Sequence, residues 1–164
     1  MNIVKTIARL DFSNLWLLLK LSIAHLGYLW PTFEATKECM QVSSEHFGRK
    51  HYQNGQANAF RHALWNVLIA KSCARKKEKL KNALDWTKKI TDWHEKAFFS
   101  KSLPMTMDYH NNAVGRWLFE TNSRYSKEEF ITNLLVLTAK ATQITKESNL
   151  ELYKNQLVYI TNDH

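Results

Sequence analysis

The sequence predicts an all-α protein, a compact single domain of six or seven helices over residues 1–164. Three observations predict it. Only four Gly and two Pro occur in 164 residues, too few for a sandwich or barrel that needs a turn about every ten residues. Apolar residues recur at helical spacing, as in Phe60, Leu64, Val67 and Leu68, rather than in alternation. A hydrophobic content of 45% suits one folded core and argues against disorder.

Taken in order, the first helix starts near Asp11 or Ser13, both suitable N-caps, and runs towards Trp30. Pro31 opens a second helix at a first-turn position and Gly48 suits its end. His51–Gly55 is a loop, since Asn-Gly is a turn dipeptide. A third helix spans Gln56–Cys73, and a fourth Lys76–Phe99 with Leu80, Leu84, Ile90, Trp93 and Phe98 inward. Ser100–Thr106, with Pro104, reads as a loop before a fifth helix over Asp108–Asn122. Ser126-Lys-Glu-Glu129 is a capping-box pattern and starts a sixth, ending near Lys146. Asn149–Ile160 reads as a last short helix, and no strand is expected.

The net charge is +8, with 23 Lys and Arg against 15 Asp and Glu. Such a balance favours anionic substrates and polyanions. The densest basic run is Lys71–Lys81, which is either a docking patch or a solvated helix junction. It has no interleaved aromatics, so it lacks a stacking platform for single strands. Leu15–Trp30 is the most apolar stretch, but it carries Lys20 and His25 and is short for a membrane span. It reads as a core helix or, alternatively, as a helix lying on a membrane surface. Lys5 and Arg9 precede it without a clear cleavage site, so the chain is expected to be cytoplasmic or exported without a cleavable signal peptide.

Several chemistries are excluded. There is no Gly-rich phosphate loop and no Gly-x-Ser-x-Gly elbow. Two cysteines make no disulfide scaffold, and both Cys39 and Cys73 read as buried, inert thiols. His94-Glu95 is not a zinc-protease motif, because position 98 is Phe. His46 and His51 read as surface residues.

What remains is polar residues on three helices among bulky apolar ones. Asn58, His62 and Asn66 step by four on the third helix, beside Arg61. Asp92 and Glu95 share a face of the fourth, next to His94. Asp108, Asn112 and Arg116 step by four on the fifth, beside His110 and Asn111. Shielded polar groups need partners, so the three stripes should face one another. One use of such a cluster is a divalent metal site with His62, His94, Glu95 and Asp108 as ligands. A second is metal-free acid–base work by the same four residues. A third is a structural network that fixes helix register. Asp108 also suits an N-cap, and Arg116 a pairing with Glu120.

Three blocks, Asn58-Ala-Phe-Arg-His-Ala-Leu-Trp-Asn66, His94-Glu95 and Met107-Asp-Tyr-His-Asn-Asn-Ala-Val-Gly-Arg116, resemble an uncharacterised bacterial and phage domain family of unknown function. Its members occur in secreted and toxin-like proteins, often as the tail of a longer chain; this chain is expected to lack such a delivery module, which counts against an effector or toxin-like role. The resemblance covers about Asn54–Trp117 and has no agreed reaction attached. It implies that Arg61, His62, Asn66, His94, Glu95, Asp108, Asn111, Asn112 and Arg116 are the motif positions. The expected function is a hydrolase of a phosphate-containing or other anionic substrate, metal-assisted or not. His62, His94, Glu95 and Asp108 are then catalytic. Asn66, Asn111 and Asn112 orient them or bind substrate, and Arg61 and Arg116 hold the anionic group. The alternative is a non-enzymatic basic module that binds nucleic acid, a membrane surface or an acidic partner through Lys71–Lys81.

Overall fold

The computed structural model describes residues 11–74, 80–98 and 102–161, and among these the chain is all-α. Its helices are α1 (Phe12–Ala24), α2 (Leu26–Phe47), α3 (Gln56–Cys73), α4 (Leu80–Phe98), α5 (Ser102–Thr121) and α6 (Lys127–Ala139). A 3-10 turn, Gly48–Tyr52, joins α2 to α3.

The centre is α3. Thirteen of its eighteen residues are buried, so it is apolar nearly all round, as a core helix must be. It packs against α2, α4, α5 and α6. Its small residues, Ala57, Ala59, Ala63 and Ala70, are fully or almost fully buried and let neighbouring backbones come close. The closest neighbour is α5. A Cβ built on Gly115 falls 2.2 Å from the Ala63 carbonyl oxygen and 2.8 Å from Ala63 Cα.

Asp11 caps α1 as expected, accepting from the Asn14 N–H at 2.8 Å. The first break, however, falls at His25 rather than Pro31. His25 leaves the helical region at φ −138°, ψ 38°, and its ring lies against Trp86 at 4.9 Å between centroids. Pro31 sits inside α2, in its second turn, where it removes one backbone hydrogen bond and the helix continues. Nor is α1 a core helix: none of its residues is buried. Its tie to the body includes Trp93 Nε1 donating to the Asn14 carbonyl at 3.0 Å.

The fifth helix begins earlier than expected, at Ser102, so residues 102–106 are helix rather than loop. Pro104 occupies its first turn, where a missing N–H breaks no helical bond. Asp108 therefore lies within the helix and is not its N-cap. The start of the fourth helix at Lys76, residues 75–79 with four of the six cations of the basic Lys71–Lys81 run, and residues 99–101 lie outside the described residues, as do Lys5 and Arg9.

Ser126 and Glu129 form the expected capping box: the Ser126 hydroxyl accepts from the Glu129 N–H at 3.1 Å, and the Glu129 carboxylate accepts from the Ser126 N–H at 2.7 Å. Ser126→Ala should lower stability by about 1 kcal/mol, read as an earlier urea midpoint with an unchanged slope.

The sixth helix stops at Ala139, short of Lys146, and the expected last helix is absent. Thr142–Gln143 (β1) instead pairs in parallel with Val158–Tyr159 (β2). Between them Leu150–Tyr153 forms one 3-10 turn, capped by Asn149. Asn155, at φ 66°, ends that region in the left-handed conformation that Asn tolerates. The end of the chain fills a second small core, in which Met107 meets Ile144, Val158 and Ile160.

Candidate functional site

Three helices meet where the polar stripes converge. His62 from α3, Glu95 from α4 and Asp108 from α5 are all buried. His62 Nδ1 lies 3.4 Å from Glu95 Oε1, and its Nε2 lies 3.3 Å from Asp108 Oδ1. One ligand atom from each of the three lies within 4.8 Å of the others.

The proton positions follow from Arg61. Its guanidinium can only donate, and Nη2 is 2.8 Å from His62 Nε2. Nε2 is then the unprotonated nitrogen, and Nδ1–H faces Asn112 Oδ1 at 3.3 Å and Glu95. Nε2 and the Asp108 carboxylate therefore face each other as two electron-rich groups. Neither Asp108 oxygen has a hydrogen-bond partner, and Glu95 Oε2 also lacks one.

The two carboxyls are tuned apart. Burial pushes Asp108 up to about 6, the Glu95 charge adds to this, and His62 and Arg61 oppose it. Burial also raises Glu95, but the hydrogen bond and charge of His62, with help from His94 and Asn112, hold it below the ordinary value.

Behind the three lies a supporting network. Asn112 Nδ2 donates to Glu95 Oε1 at 3.0 Å, and Asn112 Oδ1 accepts from Asn66 Nδ2 at 2.6 Å. Asn66 Oδ1 accepts from Arg116 at 2.8 Å and from Thr91 at 3.3 Å. Arg116 thus supports Asn66 and reaches the Thr91 hydroxyl at 3.4 Å, rather than pairing with Glu120. Thr91 was missed in the sequence, although it sits one turn before Glu95 on α4, on the same face.

Two predicted positions stand apart from this centre. His94 lies against Trp65 and Phe98, at 5.0 and 4.9 Å between ring centroids, and is not one of the three converging ligands. Burial pushes it down to about 4, so it is neutral at physiological pH. Asn111 turns to the other side of α5. Its amide donates to the Val158 carbonyl at 2.8 Å and accepts from the Val158 N–H at 3.0 Å. Its role is to clasp β2. His110 likewise reaches the Gln156 carbonyl, at 2.9 Å.

A cavity of about 160 Å³ opens onto His62, lined also by Arg61, His94, Cys39, Met40 and Trp65. Cys39 and Cys73 are buried thiols outside any disulfide, and burial pushes the Cys39 thiol at the cavity up to about 12, so the cavity offers no thiolate nucleophile. His51, expected at the surface, is fully buried. Its Nε2 lies 3.1 Å from Ser44 Oγ. That hydroxyl donates to the Met40 carbonyl at 2.8 Å, so it accepts from His51 and is not activated by it. Lys71, at the start of the basic run, donates to the Tyr125 carbonyl at 2.5 Å.

Fold and site together define an all-helical domain built around a buried His-Glu-Asp cluster. The chain belongs to the family described as Domain of unknown function (DUF6973), whose family model matches residues 19–147. No curated protein and no solved structure matches it significantly.

Proposed function

We propose that the protein is a metal-assisted hydrolase of a phosphate-containing or other anionic substrate, with a divalent cation held by His62, Glu95 and Asp108. One observation carries this reading. Both Asp108 oxygens and Glu95 Oε2 are buried without partners, Asp108 Oδ1 faces the unprotonated His62 Nε2, and one ligand atom from each of the three residues lies within 4.8 Å of the others, an arrangement that calls for a cation. The mixture of one nitrogen and carboxylate oxygens suits Zn²⁺ or Mn²⁺. Such an ion supplies a Lewis acid and lowers the pKa of a water in its coordination sphere.

The residues around it have separable tasks. Asn112 and His62 fix Glu95, Asn66 fixes Asn112, and Thr91 and Arg116 in turn fix Asn66. Such partners orient ligands and raise their affinity. Arg61, half-buried at the cavity, is placed to receive an anionic group once a cation takes over its contact with His62. The largely apolar wall of Met40, Cys39 and Trp65 excludes water and admits a carbon substituent about the size of one ring.

The test is elemental analysis and thermal melting with Zn²⁺, Mn²⁺, Mg²⁺ and Ca²⁺, followed by turnover on phosphodiesters and phospholipids. Wild type should hold about one equivalent of a divalent transition metal and gain about 4 kcal/mol at a thousand times its Kd. His62→Ala should remove both the metal and at least about a hundred-fold of the turnover. The reading fails if no cation shifts the melting temperature, or if His62→Ala turns over as wild type does.

A further inference from the structure

We propose that α1 and the start of α2 form a ridge that seats the protein on a membrane surface rich in anionic lipid. Nine of the twelve large apolar side chains that stand exposed among the described residues fall between Phe12 and Phe33. Phe12 is 83% exposed, Trp30 68% and Trp16 50%. A soluble monomer scatters such residues, and a concentration of them marks an interaction surface.

The chemistry of the ridge fits a bilayer interface. No Asp or Glu occurs from Phe12 to Phe33, in a protein of net charge +8. Lys20 Nζ lies 5.4 Å from the centre of the Trp16 ring, and Lys37 Nζ, paired with Glu34 at 3.5 Å just past the ridge, lies 5.5 Å from that of Phe33. A lysine laid over an exposed aromatic can sink its stem with the ring and keep its ammonium among phosphates. Trp residues are favoured at that depth. A second copy fits less well, because between Asp11 and Glu34 the ridge carries Lys20 but no acid that a facing copy could offer it. No described helix is long and apolar enough to cross a membrane, so the ridge lies on the surface and does not span it.

The ridge also leads to the cavity. Leu26, Phe33 and Met40 repeat every seven residues along α2, so they share a face. Met40 lines the cavity beside His62, about 10 Å along the axis from Phe33. A protein seated this way has its candidate site within about two helical turns of the lipid surface.

The proposal stands apart from the metal reading, and flotation of the full chain with vesicles tests it. Wild type should float with phosphatidylcholine vesicles containing phosphatidylglycerol at least about ten-fold better than with phosphatidylcholine alone. Trp16→Gln with Trp30→Gln should reduce binding by about ten-fold or more, with an unchanged melting temperature. Ile23→Gln with Leu26→Gln, 64% and 67% exposed in the native protein, should do the same. Asp108→Asn should float as wild type does, whatever it does to metal binding. The proposal is overturned if wild type ignores both vesicles, or if both double variants bind undiminished. It is also overturned if wild type is a non-floating dimer that these substitutions split.

Discussion

Asp108→Asn should make the metal-free protein more stable. Asp108 is buried, has no hydrogen-bond partner on either oxygen, and is pushed up to about 6 by burial and the Glu95 charge. A carboxyl whose pKa is raised in the folded state favours folding when protonated. That contribution is whole below about pH 4 and is lost as the pH rises to about 6. Above that window the ionised group carries a penalty of roughly 2–3 kcal/mol. The amide is neutral, and its NH₂ can donate to His62 Nε2. The metal-free variant should therefore melt several degrees higher than wild type at pH 7.5, by about 2–4 °C per kcal/mol. The difference should close near pH 4. With saturating metal the order should reverse, because only wild type gains from the cation. A purely structural network predicts the opposite, a variant that is less stable under every condition. Paired thermal melts with chelator and with metal decide between them.

Gly115→Ala should be among the most damaging single changes outside the cluster. Helix propensity alone predicts a gain of about 0.5–1 kcal/mol, because Gly is a poor interior helix residue. The packing predicts a loss. The new methyl would stand 2.2 Å from the Ala63 carbonyl oxygen and 2.8 Å from its Cα, and no rotamer change moves backbone atoms. Helices α3 and α5 must separate, at a cost of about 3 kcal/mol or more. The injury should reach the site as well. Ala63 adjoins His62, Gly115 lies three residues after Asn112, and the two helices carry the 3.3 Å contact between His62 and Asn112. The prediction is a large fall in the urea midpoint together with weaker metal stabilisation. A variant as stable as wild type would show that the two helices can part freely.

Much of this was legible in the sequence, and the limits have a physical pattern. Caps were readable because they depend on one side chain and the N–H groups beside it, as at Asp11 and Ser126. The polar stripes were readable because residues four apart share a helix face whatever the tertiary structure. Neighbouring residues do not share a face, being about 100° apart on a helix, and there the reading blurred. Glu95 enters the cluster while His94 packs on Trp65. Asn112 enters it while Asn111 holds β2. Choosing within such pairs requires knowing where the other helices lie. The exposed ridge on α1 was left between core and membrane surface because apolar content signals burial against something, and sequence does not say whether that is protein. The C-terminal pairing was missed for a related reason. Two strands of two residues carry almost no periodicity, and their register rests on Asn111, about fifty residues away.

That clasp separates two ways of dividing the chain. The shared ancestry of the family runs through residues 19–147, whereas Val158 and its neighbours lie beyond it. Yet Val158 meets both ends of the Asn111 amide and, with Ile160, closes the small core around Met107, the residue just before Asp108. The stretch recognised by descent is therefore smaller than the unit that folds. Ending this chain at residue 147 would strip the Asn111 amide of both its partners and open the small core around Met107.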